Sequence, residues 1–272
     1  MNIFEYTFIN HALIAALLSS IICGIIGTYI VVKRMVFISG GITHASFGGI
    51  GIAFYLGIAP FAGATVFALL SAVAIEWISK KGAIRNDSGI GIFWSLGMAI
   101  GIIFTYLTPG YSSNLMSYLF GSILTVSTSE LIFMTILAIV TVLFFTIFYR
   151  PILFFAFDEN FAKSQKAPIQ SFNFIIVLLI ALGIVINIKV AGIILVMSML
   201  TLPQNTANLF SNNFKQIVFY SIFISLAGTF TGLAGSFWLG IPSGASIIFT
   251  LTLIFFTAKL VKIFIERKHR NK

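Results

Sequence analysis

Charge is what this sequence most lacks. Of its 272 residues only 8% are Asp, Glu, Lys or Arg, against about 25% in an ordinary soluble domain. Seven are acidic, which leaves little capacity for general acid–base catalysis. A single cysteine, Cys23, sits inside an apolar run, so neither an intrachain disulfide nor a multi-cysteine metal centre is available. There is no GxxxxGKS or GxxxxGKT phosphate loop, no HExxH, and no Ser/His/Asp set with carboxylates to spare. No Pro- or Ser-rich linker, internal repeat or low-complexity tract divides the chain, which reads as one domain over 1–272. The N-terminal stretch MNIFEYTFIN carries no basic residue and is followed by no cleavage pattern, so the first apolar run reads as a retained span. Together these absences exclude a soluble enzyme, a nucleic-acid-binding domain and a disulfide-stapled secreted module.

What the chain has instead is apolar residues, 59% of the total, with a mean hydropathy of +1.07. A core built from so short a chain cannot absorb them, so most must face lipid. A membrane helix needs about 20 largely apolar residues. Runs that meet or approach this length lie at 9–32, 36–57, 59–79, 88–107, 129–149, 171–188, 190–210, 216–238 and 244–265. A further apolar piece, 115–127, contains Gly121 and reaches only about 20 Å as a helix, too short to cross. The expectation is an all-α membrane protein of about nine transmembrane helices plus a short re-entrant segment.

The net charge of +9 has a topological reading, because cytoplasmic loops of membrane proteins collect Lys and Arg. Lys33 and Arg34 follow the first run, Lys80, Lys81 and Arg85 the third, and Arg150, Lys163 and Lys166 the fifth. Lys215 follows the seventh, and Lys259, Lys262, Arg267, Lys268, Arg270 and Lys272 lie at or beyond the end of the ninth. Only Lys189 falls on the other side, which places the N-terminus outside and the C-terminus in the cytoplasm. A topology reporter at Lys272 is therefore expected to be cytoplasmic and one at Asn2 external. Both ends on one side would overturn the nine-span count.

Ionisable groups at membrane depth are costly and are functional candidates by default. Glu76 and Glu130 lie near span ends; His44 lies about eight residues into the second run, in SGGITHASFGGIGIA. There Gly41, His44, Gly48 and Gly51 share one helical face by their spacing, beside a strip of Ala45, Gly49 and Ala53. Small residues let helices approach closely, so this span is expected inside the bundle. A histidine there can line a pathway, with Gly41 and Gly48 beside it, and ligate a cation through its neutral imidazole. It can equally be a histidine hydrogen-bonded to a neighbouring helix. Gly97 with Gly101, and the series Gly228, Gly232, Ser236 and Gly240, read as helix-packing positions. Pro203, Gln204 and Asn205 open the helical ladder of the seventh run, where exposed carbonyls can line a cavity or simply end a kinked helix. Met197 and Met199 read as packing residues.

The longest cytoplasmic loop reads RPILFFAFDENFAKSQKAPIQ over 150–170. Its centre suggests a short helix capped by Asp158, with Phe157 and Phe161 on one side, a candidate docking surface. Here the chain resembles the permease subunits of bacterial zinc, manganese and iron ABC importers. VVKRMVFISGGITHASFGGIGIA is similar to the family's VVRRxxFxGDALSHAxLPGVA, and YLFGSILTVS to its YLFGDILAVS. FDENFAKSQKAP aligns without gaps to FDPEFARALGVP, and DSGIGIFWSLGMAIGIIF, VAGIILVMSMLTLPQNTANLF and LGIPSGASIIFTLTLIFF resemble three further family signatures. The family's acidic residue four positions before its histidine falls on Gly40 here. Gln165 and Lys166 stand where the family has Leu and Gly.

The resemblance implies a multi-pass permease of the bacterial cytoplasmic membrane that imports a divalent transition metal, zinc or manganese, between two copies of itself. It implies a coupling helix over about 157–168, with Asp158, Phe161, Ala162 and Pro168 at the matching positions, docked on separate cytoplasmic ATPase subunits. It also implies an extracytoplasmic metal-binding protein and a transient metal contact at His44. No cofactor is expected on this chain, ATP belonging to the partner subunits, and no nucleic acid. The chain itself would catalyse nothing. Two alternatives stay open: a permease for an iron chelate or a cobalamin-like cofactor, and a secondary transporter driven by an ion gradient.

Overall fold

The computed structural model describes residues 7–81, 86–109, 115–157 and 169–270. Among these the chain is helical throughout, as its composition requires: in lipid a spanning segment must satisfy its backbone groups internally. The elements in order are α1 (Thr7–Val32), α2 (Val36–Leu56), α3 (Pro60–Lys81), α4 (Asn86–Leu107), α5 (Leu115–Phe120), a 3-10 turn (Ile123–Thr125), α6 (Thr128–Ile147) and α7 (Tyr149–Phe157). They continue as α8 (Ile169–Ala191), α9 (Val196–Met199), α10 (Leu202–Asn208), α11 (Phe214–Leu239) and α12 (Ser243–Arg270). Eight of these helices are long and apolar enough to cross a membrane.

The seventh expected span, 190–210, is not one helix. It is broken into α9 and α10, with turns before and between them. Two residues account for this. Gly192 takes φ +86°, which ends α8 in a left-handed conformation that glycine adopts at little cost. Pro203, with no N–H to give, stands in the first turn of α10 and starts a new helix rather than continuing an old one. The broken segment still carries the chain from one end of the bundle to the other. At its start, Ile193 N–H donates to Tyr118 O (2.9 Å) and Ile194 N–H to Leu119 O (3.2 Å), both in α5. Midway, Gln204 Nε2 donates to Cys23 O of α1 at 2.7 Å. Beyond it, the Phe214 ring lies 6.2 Å from that of Tyr149, at the far end of α6.

The segment 115–127 does not cross, as its length predicts. It is pinned at the end of the bundle where α1 and α6 begin: His11 Nδ1 lies 3.1 Å from Val126 O, and Ser122 N–H donates to Lys189 O at 2.9 Å. The same end holds the start of α12, where Gly244 abuts the Phe120 and Ala191 carbonyls. At the opposite end, Lys33 Nζ donates to Phe155 O of α7 at 2.5 Å. The first residues of α1 and the last of α12 therefore stand at opposite ends of the bundle.

Helices α1, α2 and α8 form its interior, 72% of each span being buried, whereas α4 and α12 are buried over only 17%. Helix α2 is enclosed because its small residues admit both neighbours. Gly49 meets Gly63 of α3 backbone to backbone, and Gly51 meets Gly101 of α4. Buried hydroxyls in α2 return to the preceding turn, Thr43 Oγ1 to Ser39 O and Ser46 Oγ to Ile42 O, each at 2.7 Å, which satisfies them without a partner helix. Between α1 and α8, Ser19 Oγ donates to Asn187 Oδ1, and Asn187 Nδ2 donates to Gly183 O at 2.7 Å.

Candidate functional site

His44 stands eight residues into α2, about 12 Å along its axis. Its ring lies flat against Trp94 of α4, with centroids 4.0 Å apart and planes inclined by 10°. Helix approach makes this stacking possible. At Gly41 the place of a side chain is taken by Ile90 Cγ2 of α4, and a Cβ at Gly48 would lie 3.0 Å from Gly97 O. Gly41 and Gly48 thus sit in the α2–α4 contact itself, and their smallness brings the indole onto the imidazole. His44 Nδ1 is buried, and no hydrogen bond from a neighbouring helix reaches it. A buried ring nitrogen without a partner is unusual enough to need a reason.

The space where the resemblance would place an acid is filled by sulfur. A Cβ built on Gly40 would lie 3.0 Å from Met197 Sδ and 3.3 Å from Trp94 Cζ3. Met197 comes from α9, part of the broken segment, and non-helical backbone at membrane depth is tolerated where it is buried in protein or lines a cavity. The constellation is therefore an imidazole nitrogen, an indole face and a thioether gathered around Gly40. Sequence reasoning missed Trp94 and read Met197 only as a packing residue. Trp94 had only a weak signal: it lies as far into its helix as His44 does into α2, which does not say which helix it faces. Met197 had none, because only the break at Gly192 swings its short helix over α2.

Chemically, a neutral imidazole suits zinc, copper, iron and nickel, and a thioether suits softer ions, whereas carboxylates suit manganese. Among the described residues no group of three or more His, Cys, Asp or Glu could hold a metal ion. What is present suits passing contact with a cation rather than a resident centre, as a conduction path requires. A second polar cluster lies at the end of the bundle where α1 and α6 begin. Glu130 closes a capping box with Ser127 at the start of α6 and pairs with Lys189 of α8 at 3.2 Å, while Lys189 Nζ rests 4.9 Å over the Tyr118 ring. This pair ties the re-entrant segment to two crossing helices.

Of the expected coupling helix, only Phe157 is described, as the exposed last residue of α7. Asp158, Phe161, Ala162 and Pro168 lie outside the described residues. Helix α7 itself leads off amphipathically, with Ile152 and Phe155 buried and Phe154 and Phe157 exposed.

Comparison with known proteins agrees with this architecture. The profile of the ABC 3 transport family matches residues 5–262. An uncharacterized membrane protein of Synechocystis is 38% identical over 251 residues, covering 92% of this chain and 89% of its own length. The manganese transport system membrane protein MntC of Halalkalibacterium halodurans is 31% identical, covering 93% of this chain and 87% of its own. The solved PsaBC complex of Streptococcus pneumoniae superposes with a TM-score of 0.84 at 31% identity, over 93% of this chain and 91% of the matched one. With its all-helical membrane architecture and a family match over nearly its whole length, the chain belongs to the ABC 3 transport family as a membrane-spanning permease.

Proposed function

We propose that this permease imports a divalent transition metal cation, zinc or manganese, across the bacterial cytoplasmic membrane as part of an ATP-driven importer. The observation that carries this assignment is the unpartnered Nδ1 of His44 in the enclosed helix α2. A buried polar atom left without a partner costs about 1–3 kcal/mol, and a cation in transit is a partner that would repay it. The relative from Halalkalibacterium is a manganese transport system membrane protein, which supports a metal cargo.

In this proposal two copies of the chain enclose the path. A metal-binding protein outside delivers the cation, and two ATPase subunits in the cytoplasm bind and hydrolyse ATP. The segment 157–168 docks on them through Asp158, Phe161, Ala162 and Pro168, so that closure of the ATPases switches the path from outward to inward access. His44 touches the ion briefly and holds it weakly, since a transporter must release what it binds.

Two measurements test this. The chain purified with its ATPase and reconstituted into liposomes should take up radiolabelled zinc or manganese only when ATP is supplied. Uptake driven by an ion gradient without the ATPase, or uptake of a chelate alone, would overturn the proposal. In the same preparation, Phe161→Asp should abolish uptake while leaving the permease inserted, because a charge in an apolar docking contact must be desolvated. Unchanged ATPase association and uptake in that variant would exclude 157–168 as the docking helix.

A further inference from the structure

A groove of about 660 Å³ opens on the bundle between α1, α6, α7 and α11. It has one apolar wall, contributed by residues such as Ile25, Val142, Phe145 and Ile222, and one cationic end, contributed by Arg150 and Lys215. The transport path proposed above uses none of these residues. Lys215 Nζ lies 4.6 Å over the Tyr149 ring, which holds one charge at the rim of the groove. Among the described residues, neither Arg150 nor Lys215 forms an ion pair.

The two ends are set at different depths. Arg150 and Lys215 belong to the basic face of the bundle, together with Lys33, Arg34 and the end of α12. Val142 stands five residues before the end of α6 at Ile147, about 7 Å deeper along that helix's axis, and Arg150 lies beyond that end in α7. The groove therefore has cations at headgroup level and an apolar trough running inward from them. Its volume lies within the range of about 300–1,000 Å³ that accommodates small-molecule ligands.

We infer that this groove is a binding site for an anionic phospholipid of the cytoplasmic leaflet, with its phosphate between Arg150 and Lys215 and an acyl chain along the apolar wall. Any lipid fills an apolar trough on a membrane-facing surface. The two cations make this one selective, since basic pockets between membrane helices on the cytoplasmic side recognise anionic headgroups. The excess of positive charge, +9 over the chain, adds attraction of the same sign. The site does not depend on what the permease transports.

The test uses the full-length permease purified in detergent, with lipid binding read by native mass spectrometry and thermal stabilisation measured alongside. The probes are phosphatidylglycerol and phosphatidylcholine with the same acyl chains, and inorganic phosphate as a headgroup without a tail. Phosphatidylglycerol should bind and stabilise more than phosphatidylcholine. Arg150→Gln and Lys215→Gln should each cut that preference about fivefold, with stability in phosphatidylcholine unchanged. Val142→Trp, which fills the trough, should reduce binding of both lipids. Inorganic phosphate should not compete. Equal binding of the two lipids, a preference that survives the double Arg150→Gln/Lys215→Gln variant, or full competition by inorganic phosphate would each overturn the assignment. So would finding the groove occupied by an ATPase subunit in the purified complex.

Discussion

Gly192→Val is expected to lower the yield of folded permease more than any other single substitution considered. Gly192 and Gly121 sit back to back, both with left-handed backbones, at φ +86° and +73°. A Cβ on Gly192 would strike the Gly121 nitrogen, the Leu119 oxygen and the Phe120 carbonyl carbon, and one on Gly121 would strike Ala191 and Gly192. All of these are backbone atoms, which cannot swing aside as a side chain can. A β-branched residue there carries about 1–3 kcal/mol of backbone strain, with an overpacking penalty of similar size on top. Against a total stability of about 5–15 kcal/mol, that is a large fraction. Relief would come only by parting α5 from the start of the broken segment. That would cost the bonds from Ile193 and Ile194 to Tyr118 and Leu119, whose loss in a water-poor interior is expensive. The measurement is the monodisperse fraction after detergent extraction, with the unfolding midpoint of whatever survives. Gly192→Ala should show the same defect in weaker form. A wild-type midpoint for Gly192→Val would mean that the re-entrant segment is not held by this contact.

The second large effect is expected at His44. His44→Phe keeps an aromatic ring to stack on Trp94 and removes both nitrogens. It should leave folding intact and lower metal uptake at limiting metal about tenfold, the equivalent of about 1.4 kcal/mol of lost transient binding. Normal uptake in this variant would make His44 a packing residue and remove it from the path. Gly40→Asp supplies the complementary test. It recreates an acidic residue one turn before His44 and should shift the preference toward manganese, because carboxylate oxygen suits that ion better than thioether sulfur does. The new Cβ would crowd Met197 Sδ at 3.0 Å, so the shift should be larger in Gly40→Asp/Met197→Ala, where the sulfur is gone. Identical metal competition curves for wild type, single and double variants would exclude any role of position 40 in selection.

These two sites also mark where the sequence was readable and where it was not. At His44 the sequence was sufficient to single out the residue and its enclosed helix, because small residues at helical spacing permit only close packing. The partners of that histidine were out of reach. Trp94 lies fifty residues further along, and nothing local to it reveals which helix it faces. At Gly192 the misreading was of another kind. Residues 190–210 are as apolar as a spanning helix, and hydropathy measures only how readily a segment leaves water. Whether its N–H groups bond to their own preceding turn or to carbonyls of a different segment is invisible to that measure.

The sequence by itself determined the class of the molecule. With 59% apolar and 8% charged residues the chain must lie in lipid, and lipid admits only self-satisfied backbones. It determined that 115–127 stays short of crossing, because length alone forbids it, and it set the sidedness expected from the basic residues. The sequence marked Pro203 as a place where the seventh run opens, but tertiary structure decided that α8 stops at Gly192, whose left-handed turn packs against Gly121. It also decided that an imidazole, an indole and a thioether meet around Gly40. Such a meeting depends on how three separate segments pack against one another. Packing of that kind is a property of the whole bundle, set by which backbones can approach most closely, and no stretch of one helix encodes it.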